Sequence, residues 1–101
     1  MSRYALGAEA ALDLEQIWDY IAADSVDAAD RWIGKLFDAF EEVGKTPGLG
    51  HKREDLTSLP VFFWPVGSYL IIYRKSRGRA EIVAVTHGSR DIPAFLRQRI
   101  P

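Results

Sequence analysis

The feature that most constrains this chain is a change of hydrophobic period near residue 50. Before it, Leu14, Ile17, Trp18 and Ile21 recur at i, i+3, i+4 and i+7, the spacing of one helix face. Glu9, Asp13 and Glu15 stand near the start of that run, where the helix dipole favours acids. Asp24 and Ser25 interrupt it, and either residue can cap a following helix. A second stripe, Ala29, Trp32, Ile33, Leu36, Phe40 and Val43, continues to Gly44. The segment Thr46-Pro47-Gly48-Leu49-Gly50 then stops helical structure, as proline and glycine do. Two amphipathic helices separated by a few residues predict an antiparallel helical hairpin.

Beyond residue 50 the pattern suits strands. His51 to Ser58 reads as a polar connection, and Val61-Phe62-Phe63-Trp64 carries the aromatic and β-branched residues of a pleated surface. Pro65 cannot donate to a ladder, which argues for an edge position or a strand end. Gly67-Ser68 between two apolar runs is a hairpin turn signal. Tyr69 to Tyr73 then reads as a strand buried on both faces, Lys75 to Arg79 as a turn, and Glu81 to His87 as a further strand. Arg3 to Leu6 predicts an opening strand closed by Gly7, and Ile92 to Arg97 a short C-terminal tail or helix beginning near Pro93.

The expected fold class is therefore α+β: strand, helical hairpin, then a three-stranded antiparallel meander and a short tail. Both helices lie on one face of the sheet, and the other face is expected to have no helical cover. Trp18 and Trp32 lie on apolar stripes and are expected in the core, with Trp64 near a strand end and Tyr73 packed in the sheet. At 101 residues the chain suits one domain, 1–101, without repeat, linker or low-complexity tract.

Composition removes several function classes. No cysteine is present, which excludes a disulfide scaffold, a thiolate metal site and a Cys nucleophile. Two histidines, His51 and His87, leave little material for a zinc site, and neither a metal nor a cofactor is expected. No Gly-rich phosphate loop or nucleophile elbow occurs. The start lacks the apolar core of a signal peptide, and the longest apolar stretch, Val61 to Val66, is far short of the ~20 residues of a membrane span. A cytoplasmic location without membrane contact is expected.

The net charge of −1 conceals a division. Residues 1–50 hold four bases against ten acids, a balance of −6, while residues 51–101 hold nine bases against four acids, a balance of +5. The basic half suits an anionic partner, although hairpin turns are often basic merely because they are solvated. Clustered Lys and Arg can hold phosphates or an acidic segment, and metal-free phosphodiester cleavage here would need Lys, Arg or His as acid and base. His87 and Arg90 stand at a strand exit, where ligand groups often gather.

Four pieces of the chain, in order, carry a family resemblance. Ala10-x-x-Asp13-Leu14-x-x-Ile17-Trp18-x-Tyr20-Ile21 resembles the first-helix signature of ParE-like toxins in the RelE/ParE superfamily. Pro47-x-Leu49-Gly50 resembles the turn after their second helix, and Val66 to Arg74 their central hairpin. Val85-x-His87-Gly88-x-Arg90-Asp91 is similar to the end of their last strand.

The resemblance implies the toxin of a type II toxin–antitoxin module of the plasmid-stabilisation kind. It would be neutralised by a ParD-like antitoxin in a hetero-oligomer, and the toxin alone would bind no specific DNA sequence. ParE-like members poison DNA gyrase, whereas RelE-like members cleave messenger RNA on the ribosome, and a fold alone does not choose between them. For gyrase inhibition without catalysis, His87, Arg90, Phe95 and Leu96 are the candidate target contacts. For a metal-free endoribonuclease, Lys52, Arg53, Arg74 and His87 are the candidate catalytic set. No Tyr follows Tyr73, which counts against the ribonuclease version. A degenerate toxin kept only for antitoxin binding is the third reading. Antitoxin contacts are expected on the helical hairpin and an exposed sheet edge, without a residue list.

Overall fold

The stop signal at Pro47–Gly50 separates the helical hairpin from the three-stranded meander. The computed structural model describes residues 3–100; Met1, Ser2 and Pro101, the ends of the expected domain, lie outside the described residues. The elements run β1 (Tyr4–Leu6), α1 (Ala8–Ala22), α2 (Val26–Lys45), β2 (Phe62–Val66), β3 (Tyr69–Ser76), β4 (Arg79–His87) and α3 (Ile92–Arg99). Ser25 is the cap of α2, its hydroxyl accepting the Ala28 N–H at 3.1 Å. Such a cap contributes about 1 kcal/mol. Asp27 in the first turn and Lys45 in the last both complement the helix dipole. Asp91 caps α3 in the same way through the Ala94 N–H, with Pro93 in the first turn.

The sheet order is β1-β4-β3-β2, with β1 parallel to β4 and the remaining pairs antiparallel. Pro65 thus lies on an edge strand, where its missing N–H costs the ladder nothing. Alternation along β3, with one extra residue at Val83 of β4, brings Ile71, Tyr73, Ile82 and Val85 to one face, against Ala10, Leu14, Leu36, Phe40 and Val43 of the helical hairpin. The other face is covered, contrary to the sequence expectation. Phe63, Ile72 and Ala84 pack there against Val61, Ile92 and Leu96 in a second core. The physical reason is that α3 turns back onto the sheet, so its apolar residues find the face that the hairpin leaves open.

Trp18 and Trp32 also depart from expectation: both are half-buried. Their indoles lie at the margins of the helical stripes, and so large a ring is rarely enclosed entirely. Trp18 links the two helices by donating Nε1–H to Asp30 at 2.9 Å. Trp32 instead covers the β2–β3 turn, where Gly67 has φ of +58° and a Cβ would lie 2.5 Å from the indole. Both the backbone conformation and the close ring therefore require glycine there.

Tyr73 ties the linker to the sheet. Its ring is fully buried, and its hydroxyl donates to the Pro47 carbonyl and accepts the Gly50 N–H, both at 2.8 Å. A Cβ on Gly50 would stand 2.6 Å from that oxygen, so the helix-stopping glycine is also a packing requirement. Two backbone hydrogen bonds between His51 and Phe63 then lead the chain toward β2.

Tyr73→Phe should lower stability by about 1–3 kcal/mol, because both turn partners lose a buried hydrogen bond. The midpoint of thermal unfolding, followed by circular dichroism, should drop by at least about 4 °C for a domain of this size. An unchanged midpoint would show that the turn is held by other contacts.

Burial also pushes the phenols of Tyr4, Tyr69 and Tyr73 above their ordinary range. The charge of Glu41 adds to this for Tyr4 and that of Tyr20 for Tyr69, while the Gly50 N–H opposes it for Tyr73. The folded chain therefore retains protons that the unfolded chain releases above about pH 10. Stability should be intact below that pH and fall as pH rises through the folded values. Urea unfolding at about pH 8 and about pH 11 checks this.

Candidate functional site

The C-terminal end of β4 enters a tight turn that positions a group of polar and aromatic side chains. Gly88 donates its N–H to the Ser68 carbonyl at 2.8 Å, and Arg90 donates to the His87 carbonyl at 3.1 Å. His87 Nδ1 accepts the Ser89 N–H at 3.2 Å and lies 2.7 Å from Ser89 Oγ. In the neutral ring this places the proton on Nε2. The imidazole meets Tyr69 edge-on, at 5.5 Å between centroids, and Tyr69 meets Trp32 in the same manner at 5.4 Å. These contacts fix the Tyr69 ring between sheet and helix.

Alongside, Phe95 of α3 lies between two guanidinium groups, Arg90 at 4.8 Å and Arg99 at 4.7 Å. Arg99 is held in turn by both carboxylate oxygens of Asp13 at 2.9 Å, by Glu9 at 2.6 Å and by the Val83 carbonyl at 3.0 Å. Asp13 also accepts the Val85 N–H at 3.0 Å. The Asp13 hydrogen bonds hold the Arg99 guanidinium above its ordinary range, against the opposing effect of burial. Between α1 and the ends of β3 and β4 opens a cleft of about 460 Å³, lined in part by Asp13, Tyr20, Tyr69, His87 and Arg90.

The structure brings His87 and Arg90 together on this cleft, with Phe95 packed beside Arg90. Leu96, expected as a target contact, is only 1% exposed and belongs to the second core. The physical reason is the return of α3 to the sheet, which turns Leu96 inward while Phe95 stays at the margin.

The candidate ribonuclease set is dispersed. Tyr69 is opposite His87 in the β3–β4 register, whereas Arg74 is opposite Glu81. Five residues of strand separate these rungs, about 17 Å at strand rise. Arg74 is bound to Glu81 at 2.6 Å, and Arg53 to Asp55 at 2.8 Å. Lys52 lies over the Phe62 ring at 5.8 Å, and Phe62 pairs with Tyr73 at the Arg74 end. No single position is within hydrogen-bond reach of all four side chains.

Sequence reasoning missed Asp13 and Arg99 as partners, and Tyr20 and Tyr69 as cleft residues. For Asp13 a signal existed: it falls on the apolar stripe between Ala10 and Ile17, where an acid needs a buried partner. Among the described residues, no group of three or more His, Asp or Glu side chains gathers as a metal site, and no helix is long and apolar enough to cross a membrane.

Asp13→Ala leaves the Arg99 guanidinium and the Val85 N–H without their partner. Breaking a buried pair in this way costs about 3–5 kcal/mol. Urea unfolding of the single and double Ala variants at Asp13 and Arg99 should show the double variant less destabilised than the sum of the two. Strict additivity would mean that the two groups act independently.

Comparison with known proteins agrees with this architecture. Residues 4–92 match the sequence profile of a family described as the ParE toxin of the type II toxin–antitoxin system, parDE. Among solved structures, the chain is similar to a protein of the chromosomal ParDE TA system from P. aeruginosa. The TM-score is 0.70 at 16% identity, over 86% of this chain and 96% of that one. No curated protein matches it. At such identity the structural likeness speaks for the fold, whereas the family match extends from β1 to the start of α3. The chain belongs to the ParE toxin family of type II toxin–antitoxin systems.

Proposed function

We propose that this ParE-family toxin arrests cells by poisoning DNA gyrase through binding alone, and that a ParD-like antitoxin neutralises it. The observation that carries this reading is the dispersal of the basic residues. Acid–base catalysis needs its groups within hydrogen-bond reach of the same reacting atoms. Here Arg74 and His87 stand on rungs about 17 Å apart along the strand, and Arg74 and Arg53 are already neutralised by carboxylates.

A binding surface has weaker demands. It needs groups with defined positions at the surface, and exposed His87 and Arg90, with half-buried Phe95 beneath Arg90, provide them. The Ser89 contacts orient the imidazole, and Arg90 is stacked on Phe95 with its charge still available to a partner. For the antitoxin, the basic half of the chain complements an acidic segment, whereas the outer edge of β2 is already bonded to His51 at Phe63. The similar P. aeruginosa protein comes from a ParDE system, and the same kind of partner is proposed here.

Purified toxin should inhibit gyrase supercoiling or trap cleaved DNA, and a stoichiometric ParD-like partner should restore activity. The double variant His87→Ala, Arg90→Ala should need about tenfold more toxin for equal inhibition, the loss of roughly one charge-assisted contact. A translation assay on the same preparation serves as control. Normal supercoiling at excess toxin, or messenger cleavage on the ribosome, overturns the reading.

A further inference from the structure

We propose that the cleft between α1 and the ends of β3 and β4 is a binding site for a nucleoside phosphate, with the base against the tyrosines and the phosphate at His87 and Arg90. The inference does not rest on the gyrase reading, because it concerns a small ligand and is tested without gyrase.

The cleft, about 460 Å³, falls within the range of sites that enclose small ligands. Its lining combines two chemistries. Tyr20 and Tyr69 supply aromatic surface, His87 and Arg90 supply cationic or proton-donating groups, and Tyr69 touches His87 so that the two sets adjoin; Gln16 and Thr86 also line the cleft.

The aromatic side is partly preorganised. Tyr69 is held by edge contacts to Trp32 and His87, while Tyr20 is 75% exposed at the rim and free to close on a planar ring. The Tyr20 phenol is near enough to help push the Tyr69 hydroxyl upward, second to burial. A base stacked on such rings gains affinity whatever its identity, as in single-strand binders.

The electrostatics also favour an anion. Asp13 lines the cleft, but its charge is cancelled by Arg99. Among the described residues no carboxylate lies within ion-pair distance of Arg90, whose guanidinium rests on Phe95. His87 Nδ1 is occupied by Ser89, which leaves Nε2–H to donate. A phosphate accepts from both a guanidinium and an imidazole N–H, and Arg matches its oxygens in a two-pronged fashion. A plain carboxylate would use the cationic side and leave the tyrosines unfilled. A plain aromatic ring would do the reverse.

Calorimetric titration of the purified chain with adenosine monophosphate, adenosine and inorganic phosphate tests the assignment. Adenosine monophosphate should bind saturably and about tenfold or more tighter than either fragment, since each lacks one of the two contact sets. Arg90→Ala should bring adenosine monophosphate to the level of adenosine, and Tyr20→Ala should weaken it about fivefold or more. Both side chains are exposed, and circular dichroism should show the two variants folded. A short single-stranded DNA distinguishes the source of the group. Binding well above that of the mononucleotide assigns the cleft to a nucleic-acid strand, and equal binding assigns it to a free nucleotide. No saturable binding of either, binding no better than that of phosphate, or indifference to both substitutions overturns the proposal.

Discussion

Strand β4 lies inside the sheet, yet one of its edges is paired for only three residues, because β1 ends at Leu6 opposite Ile82. Beyond that point the backbone of Val83 and Val85 would face the interior without strand partners, a costly state for buried N–H and C=O groups. The missing partners are side chains. Asp13 of α1 accepts the Val85 N–H, and Arg99 of α3 donates to the Val83 carbonyl. The two side chains are then paired with each other, and no buried side-chain polar atom among the described residues is left unsatisfied. A register shift between Ile72 and Tyr73 falls beside this region, where β3 and β4 are locally out of step. The first helix, the last helix and the middle strand are thus joined at one buried carboxylate.

That junction also sets the surface. With its guanidinium fixed by Asp13 and Glu9, Arg99 offers one face to Phe95, and Phe95 carries Arg90 on its other contact. The position of Arg90 on the cleft therefore depends on a salt bridge that Arg90 itself does not join. The division of charge along the chain acquires a structural meaning here. Acids of the first half, Glu9 and Asp13, hold a base of the second half, so the −6 and +5 balances are partly satisfied across the fold. Bases that find no such acid are left for partners.

Much of the fold was legible because its determinants are local. Ser25 follows one apolar stripe and precedes another, so its capping role can be read from neighbours within a few residues. Gly67-Ser68 and Pro65 punctuate strands by backbone chemistry that needs no tertiary context. The covered second face was not legible, since α3 is short and its direction is decided by Arg99 reaching Asp13, 86 residues away. Leu96 was misread for the same reason: its helix was recognisable, but which side faces the sheet is set by that distant anchor. His87 and Arg90 were legible as neighbours at a strand exit. Tyr20 and Tyr69, the other cleft residues, are separated by nearly half of the chain and converge only once α1 packs on the sheet.

The antiparallel ladder decides which of the basic residues can cooperate. Each rung of β3 and β4 fixes a pair, and rungs several residues apart cannot serve one small site. At one end Arg74 faces Glu81, so charge meets charge and little potential escapes. At the other end Tyr69 faces His87, an aromatic pair that leaves the neighbouring Arg90 uncompensated by any described carboxylate. A shift of one residue in this register would exchange the two faces of β4 and take Ile82 and Val85 away from the core that encloses Tyr73. The register that buries Tyr73 is therefore the same one that separates Arg74 from His87. Packing of the core and concentration of free cationic charge at the β4 exit follow from a single alignment.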